Sequence, residues 1–159
     1  MNHKTKASAL IGALLVLAPA TPAMAAPRPA VDLRGEGVGA YALDAGGTAR
    51  LRGAITGAPF DGSYRARLSS SDGSLPAPGE CEPGTAAVHV NGKGHRSLDL
   101  RATGEVCGRW VDATYVVTHE FVGRYVVTDA SSRRLRGTDG WISLILATEG
   151  RANIEAIDT

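Results

Sequence analysis

One histidine and two tyrosines share alternate positions of a long apolar segment, where they could carry out acid–base chemistry. His119 lies two residues from Val117 and Phe121, and Tyr115 and Tyr125 fall on the same parity. Because successive side chains of a strand point to opposite faces, this spacing places all three in the interior of a sheet. There they could bind a small ligand or transfer a proton. A hydrogen-bonded core histidine with two packed tyrosines fits the same pattern without any chemistry.

Four arginines form a second candidate site, an anion-binding patch. If residues 58–61 make a four-residue loop, Arg52 lies directly opposite Arg67 on the outer face. Arg50 and Arg65 then lie two residues along the same strands. Like charges paired across strands repel by roughly 0.2–1 kcal/mol, so the array favours an anion such as a sulfated glycan, a wall polymer or a phosphate. A solvated face is the alternative, because salt screens exposed charges.

The sequence predicts neither a metal nor a cofactor. His89 and His95 flank a glycine-containing loop, and the expected register puts Ser97 and Asn91 opposite them on the outer face. As diagonal neighbours at about 7–8 Å, the two imidazoles are too far apart for a shared ion without further ligands. No Ser-His-Asp order, Gly-x-Ser-x-Gly motif or carboxylate pair supports a catalytic site.

The N-terminus has the pattern of an export signal. A short basic leader precedes the apolar run Ala7–Ala18, and Ala23-Met24-Ala25 matches the small-x-small site that a signal peptidase recognises. This pattern predicts a signal peptide at 1–25 and a secreted, extracellular protein. The longest later apolar run, Trp141–Ala147, is too short to span a membrane.

The remaining chain has the size of one domain. We expect an extended leader with two prolines at 26–34, followed by a domain at 35–159. The net charge of +1 argues against a dedicated nucleic-acid binder, which would have a strongly basic surface. The two cysteines, Cys81 and Cys107, are predicted to form a disulfide in an oxidising compartment. A redox or metal-binding thiol pair would need the Cys-x-x-Cys spacing that they lack.

The predicted fold is all-β, a single antiparallel β-barrel or a tightly curled sandwich. The 20 glycines and the absence of a sustained helical period are typical of strands separated by turns. Hairpin loops at 45–47, 58–61 and 92–94 each put the apolar side chains of both flanking strands on one face. A longer strand at 113–128 follows, with a bulge or bend at Gly123.

The last two strands are expected at Leu135–Ala147 and Ala152–Ile157. Within the first of them, Trp141–Ala147 is apolar on both parities except at Ser143, so both of its faces should be covered. The N-terminal leader would supply this cover, or a second subunit would form a homodimer through the Trp141 strand.

The segment 69–85 has no strand pattern and is expected to be a long loop whose far end Cys81 holds in place. Loops of this length are commonly functional or disordered. The peptide Leu75–Pro76 within it would be the reactive bond if the protein were a secreted protease inhibitor.

The run Phe121-Val-Gly-Arg-Tyr-Val-Val-Thr128, followed by Leu135-Arg-Gly-Thr-Asp-Gly140, resembles the closing strands of allene oxide cyclase and dirigent-like barrels. In those barrels a ladder strand precedes a Gly-Thr-x-Gly turn. The resemblance covers these two segments and implies a closed barrel of about eight strands, with an apolar interior that could hold a small ligand. It implies no particular reaction. The whole chain also resembles small secreted proteins of actinobacteria.

These patterns favour a non-catalytic extracellular protein that binds a small apolar or anionic ligand or a surface partner. The competing classes are a small isomerase or cyclase that works around His119, and a secreted inhibitor that uses the 69–85 loop. An enzyme or a carrier of this kind would need an interior cavity of roughly 300 Å³ or more beside His119.

Overall fold

Eight antiparallel strands form a closed barrel in the residues that the computed structural model describes, which are 34–57, 61–111, 116–147 and 150–158. Each strand pairs with the next along the chain, and the last pairs with the first. The strands are β1 (Arg34–Leu43), β2 (Ala49–Thr56), β3 (Gly62–Ser70), β4 (Cys81–Gly92), β5 (Arg96–Val111), β6 (Val116–Ala130), β7 (Asp139–Leu146) and β8 (Arg151–Asp158). The predicted all-β antiparallel barrel is confirmed, and the pairing of β1 with β8 rules out the alternative, a tightly curled sandwich.

Two predicted segments lie outside the described residues. They are the signal peptide at 1–25 and the leader at 26–34, except for Arg34, with which β1 begins. Within the described part of the chain, we find no helix with the length and apolar character needed to cross a membrane.

The alternation of apolar and polar side chains determines which face of each strand is buried. In β2, Ala49, Leu51 and Ile55 point into the barrel, and in β3, Tyr64 and Leu68 do so. Ala66 of β3 is also buried, and the arginines between these residues, such as Arg50, Arg52, Arg65 and Arg67, face outward. Because burial removes apolar surface from water at about 25 cal/mol per Å², the alternate apolar set determines the orientation of each strand. The predicted common buried face is therefore correct for β2 and β3, whereas Leu43 of β1, predicted on the same face, is 52% exposed.

Two strand registers differ from the prediction by a step of two residues. Arg67 pairs with Arg50 rather than with Arg52. The turn between β4 and β5 occupies 93–95 rather than 92–94. Registers that differ by two residues bury the same side chains, so the hydrophobic pattern alone does not distinguish between them.

Large side chains in the barrel interior pack against a row of glycines. Phe121 and Tyr125 of β6 are fully buried, and Gly84, Gly104 and Gly123 form a continuous inward row across β4, β5 and β6. A Cβ atom at Gly123 would lie 2.7 Å from Cζ of the Phe121 ring, so the glycine leaves the space that the ring occupies. A row of small residues beside large ones allows a narrow barrel to close around its core.

The predicted bulge at Gly123 is wrong. Gly123 pairs regularly with Gly104, and the register shift of the β5–β6 ladder lies between Asp99 and Leu100. A glycine inside a strand marks either a bulge or the close approach of other atoms, and here the cause is close packing against Phe121.

The strand β7 is shorter than predicted because its expected first residue belongs to a loop. Leu135 lies in the β6–β7 loop at 131–138 and is 4% exposed, so its apolar character reflects a core contact rather than a strand position. Trp141 points outward from β7 and is 47% exposed. The described residues therefore do not supply the cover expected over the outer face of β7.

The predicted disulfide between Cys81 and Cys107 is present, with the two Cα atoms 4.1 Å apart. The cysteines are direct partners in the β4–β5 ladder and lie on its outer face. Since β3 continues to Ser70 and β4 begins at Cys81, the loop expected at 69–85 is shorter and occupies 71–80.

Candidate functional site

His119 lies at the rim of the barrel, on the inner parity of β6 as the sequence indicates. Its register partners are Gly108 of β5 and Leu146 of β7. The side chain is half-buried, and its Nε2 lies 3.1 Å from the carbonyl oxygen of Pro76. The tautomer with hydrogen on Nε2 donates to that oxygen. The hydrogen bond ties the β3–β4 loop to the barrel end, which is a structural role for this histidine.

The structure does not assemble a ligand site around His119. Tyr125 lies six residues further along β6 and is fully buried in the core, while Tyr115 lies outside the described residues. Neither His119 nor Tyr125 lines any of the three cavities described below. The geometry of the described residues therefore adds no support for an isomerase or cyclase.

The interior contains a buried hydroxyl that the sequence analysis did not identify. Tyr64 of β3 is 1% exposed, and its hydroxyl has no hydrogen-bond partner among the described residues. Burial raises the pKa of this hydroxyl, so it stays protonated. The ring reaches Gly37, where a Cβ atom would lie 3.0 Å from its Cε1. The alternate inward glycines of β1, Gly35, Gly37 and Gly39, were the sequence signal that something large packs against that strand.

The four predicted arginines come together on the outer face of β2 and β3. Arg50 pairs with Arg67, and Arg52 pairs with Arg65, so there are two directly opposed pairs where the sequence predicted one. All four are exposed and line a surface groove of about 650 Å³ that extends over β1 and β4. We call this cavity the arginine groove.

The positive charge of the arginine groove is only partly neutralised. Arg50 makes an ion pair with Asp44 at 3.2 Å. The pKa of Asp44 is lowered, first by the backbone N–H of Thr48, which donates to its carboxylate, and further by Arg50. Arg52, Arg65 and Arg67 have no acidic partner within 4.0 Å among the described residues. Three guanidinium groups therefore have their donors available to a ligand.

His89 adds a titratable group to the edge of the arginine groove. It pairs in register with Arg65 on one side and Asp99 on the other, which corrects the predicted pairing with Ser97. Its Nδ1 lies 2.7 Å from Asp99 Oδ1, and its Nε2 lies 3.0 Å from Asn91 Oδ1. Because both ring nitrogens face oxygen acceptors, the imidazolium form is favoured, and the hydrogen bond to Asp99 is the main cause that raises the His89 pKa.

The predicted outer-face placement of His95 opposite Asn91 is wrong. His95 lies in the β4–β5 turn with a φ of 60°, and Asn91 pairs with Ser97. The turn is displaced by one residue because Gly92 pairs with Arg96 in the last rung of the ladder. Across the described residues there is no group of three or more His, Cys, Asp or Glu side chains that could hold a metal ion.

Two smaller cavities also lie on the outer face of the barrel. One of about 440 Å³, over β1, β2, β7 and β8, contains Glu36 and Glu155, which are direct partners in the β1–β8 ladder. The other, of about 430 Å³, contains Trp141 and Arg124, whose guanidinium carbon lies 5.6 Å from the ring centroid. Arg124 also donates to Asp139 at 2.7 Å, so its charge is already paired.

The β3–β4 loop does not present an exposed reactive peptide. Leu75 packs against the core and Pro76 is buried. A protease inhibitor needs a protruding, accessible peptide, and the inward packing of this peptide does not supply one. Nothing in the geometry of this loop favours the inhibitor alternative.

Comparison with family models, with curated proteins and with solved structures finds no significant match to the chain. The resemblances stated above therefore rest on the quoted residues alone. What the fold and the site define is a small closed β-barrel with an arginine-lined groove on its outer surface.

Proposed function

We propose that the protein is a secreted, non-catalytic binding protein that holds an anionic ligand in the arginine groove. The observation that carries the proposal is the direct pairing of Arg50 with Arg67 and of Arg52 with Arg65 inside one surface cavity. Export is supported by the N-terminal signal pattern and by the disulfide, which persists in oxidising compartments.

The charge arrangement favours an anion over an empty solvated face. Two like-charged cross-strand pairs on alternate rungs of the same face repel each other, and an anion between them would turn that repulsion into attraction. Arginine suits this role because its planar fork donates two parallel hydrogen bonds to phosphate or sulfate oxygens. The strands hold the four Cα positions rigidly, so little ordering is needed when a ligand binds.

The proposal is tested by removing charge from the groove while leaving the rest of the barrel intact. Arg52→Gln combined with Arg65→Gln should weaken binding of inorganic tripolyphosphate by about a hundredfold or more, because two charged hydrogen bonds of about 1.5–3 kcal/mol each are lost. Isothermal titration calorimetry at low ionic strength measures the affinity. Thermal melting should show an unchanged or slightly higher midpoint, since repulsion is relieved.

The matched control has the same charge change elsewhere. Arg133→Gln combined with Arg134→Gln alters two exposed arginines of the β6–β7 loop, at the opposite end of the barrel from the β1–β2 turn. This control should bind tripolyphosphate as the unmodified protein does. Equal losses in both double variants, or no binding by the unmodified protein, would refute the assignment of function.

A further inference from the structure

We infer that the ligand of the arginine groove is a linear polyanion, a chain of linked phosphate or sulfate groups that lies across the strands. This inference rests on the proposed function and specifies its ligand class. The evidence is the size of the charge array, the open ends of the groove, its continuation onto β5 and the absence of Phe, Tyr and Trp from its outward lining among the described residues.

The four arginines form an array that is larger than one oxyanion. Neighbouring strands lie about 4.8 Å apart, and a step of two residues along a strand covers about 6.7 Å, so the Cα positions mark the corners of a cell of roughly 5 by 7 Å. A single phosphate or sulfate accepts hydrogen bonds from one or two of the four guanidinium groups. Several linked anionic groups are needed to engage all four.

Small side chains leave the groove open at both ends. Ala40 and Ala42 of β1 are the outward register partners of Arg52 and Arg50 on one side. On the other side Ala87 of β4 is the partner of Arg67, so the groove is open there beside His89, the partner of Arg65. A site built for a compact anion would be closed by larger side chains, whereas this floor of alanines lets a chain enter and leave along the direction that crosses the strands.

The positive positions continue beyond the groove in the same direction. Arg101 of β5 is the register partner of Ala87, so it lies two strands, or roughly 10 Å, from Arg67 in one cross-strand row. It is exposed and has no acidic partner within 4.0 Å among the described residues. On the other side, Arg151 of β8 is the register partner of Ala40. Arg101 thus extends the Arg50–Arg67 row onto β5, and Arg151 extends the Arg52–Arg65 row onto β8.

Among the described residues, the outward lining of the groove contains no Phe, Tyr or Trp side chain. Tyr41 is the aromatic residue in its lining, and it belongs to the inner parity of β1, so the outward lining is made of arginine, alanine and His89. Proteins that bind single-stranded nucleic acid without sequence preference stack the bases on aromatic side chains. Charged esters along a flexible backbone fit this lining better than bases do.

Chain length is the variable that tests the inference. Inorganic tripolyphosphate should bind weakly, and polyphosphate long enough to span roughly 15 Å, the distance from β2 to β5, should bind more tightly per phosphate group. The negative slope of log affinity against log salt should steepen with length by about 0.7 for each additional phosphate contact, as for single-stranded phosphodiesters. Heparin fragments of increasing length provide sulfate groups, so the two series identify whether the groove prefers phosphate or sulfate.

Two variants distinguish binding of a long polyanion from binding of a short anion. Arg101→Gln should weaken long polyphosphate or heparin several-fold and leave tripolyphosphate affinity unchanged, while Arg133→Gln changes neither. Arg52→Gln with Arg65→Gln should weaken both short and long ligands. All measurements use the full chain, and unchanged melting curves show that the variants remain folded.

Two results would overturn the polymer claim while leaving anion binding in place. One is equal affinity per phosphate for tripolyphosphate and long polyphosphate, together with an Arg101→Gln substitution that changes neither affinity. The other is a salt slope that does not steepen from tripolyphosphate to long polyphosphate, since the longer chain would then make no further contacts. Failure of all these ligands would instead refute the proposed function itself.

Discussion

His89 makes the charge of the arginine groove depend on pH. The charged and polar groups that face its ring are Arg65 from β3, Asp99 from β5 and Asn91 of its own strand. The hydrogen bond to Asp99 raises the His89 pKa, and the charge of Arg65 opposes this in part. Below the raised pKa the imidazolium stands next to Arg65 and adds to the positive potential that an anion meets.

The sign of the pH effect follows from the direction of this shift. A group with a raised pKa in the folded state stabilises the fold below its unfolded pKa, and the contribution is lost as the pH rises through the folded value. Tripolyphosphate affinity should decline over the same interval, just above histidine's ordinary pKa of about 6.5. Because the His89 side chain is 40% exposed, we expect changes of only a few-fold in affinity.

A comparison of the unmodified protein with His89→Gln measures this effect. Calorimetric affinity and melting midpoint are recorded between about pH 5 and pH 9, on both sides of the histidine pKa. The variant should lose the fall in affinity with rising pH, because no group that titrates in this interval remains beside Arg65. A pH profile identical in the two proteins would show that His89 does not act on the groove.

Between strands, the inward glycine row determines how closely β4, β5 and β6 approach one another. At Gly123 a Cβ atom would lie 2.6 Å from the carbonyl oxygen of Thr103 and 2.7 Å from the Phe121 ring. Gly123→Ala should therefore destabilise the protein by roughly 1–3 kcal/mol through overpacking. Urea unfolding followed by circular dichroism measures the change in free energy.

Gly46→Ala serves as the control for this substitution. Gly46 lies in the β1–β2 turn, and a Cβ atom there would meet Asp44 Oδ1 at 3.5 Å, an ordinary contact. Its effect should stay within about 0.5 kcal/mol. If the two alanine variants were equally stable, the glycine row would not be the close-packed element that we describe.

The pairing of strands also shows how far a single sequence determines this fold. The alternation of Leu51 with Arg50 and Arg52 predicts the buried face, because one side of a strand must leave water. The alternation does not distinguish registers that differ by two residues. The sequence therefore predicts the four arginines on one face, but not the two direct pairs of Arg50 with Arg67 and Arg52 with Arg65. Arg101 was missed for the same reason, since placing it beside the groove requires the β3–β4 and β4–β5 registers together.

Other features depend on contacts that no local pattern specifies. Leu135 is apolar because it packs into the core from a loop, and nothing in its neighbours distinguishes that position from a strand. His119 was placed correctly on the inner parity, but its hydrogen bond to Pro76 joins residues 43 positions apart in sequence. Contacts between residues so far apart in sequence form only when the barrel closes, so no local sequence pattern predicts them.

The barrel as a whole separates its charges around its circumference. The net charge is only +1, yet the arginine groove forms a basic face, and two carboxylates, Glu36 and Glu155, are direct partners on the β1–β8 face. Overall composition is therefore a poor guide to what this surface attracts, because a local field of several arginines steers anions regardless of the total. The near-neutral balance argued against a nucleic-acid binder but did not reveal the groove.

Self-association through the Trp141 strand stays a prediction. Trp141, Val122, Val126 and Ile157 are all between 43% and 48% exposed on the outer face of β6, β7 and β8. Trp141 lies over the guanidinium of Arg124, which covers part of its ring. This apolar surface is separate from the arginine groove, so ligand binding does not require a second copy.

The central claim is that the ligand is held on the outside of the barrel by the arginine groove rather than in the interior. Heteronuclear NMR of the labelled full chain, titrated with inorganic tripolyphosphate, tests it residue by residue. We predict shifts of the Nε–H signals of Arg52, Arg65 and Arg67 and of the backbone amides of β2 and β3. Shifts centred on His119 and Tyr125, or no saturable shift in the groove, would contradict the account.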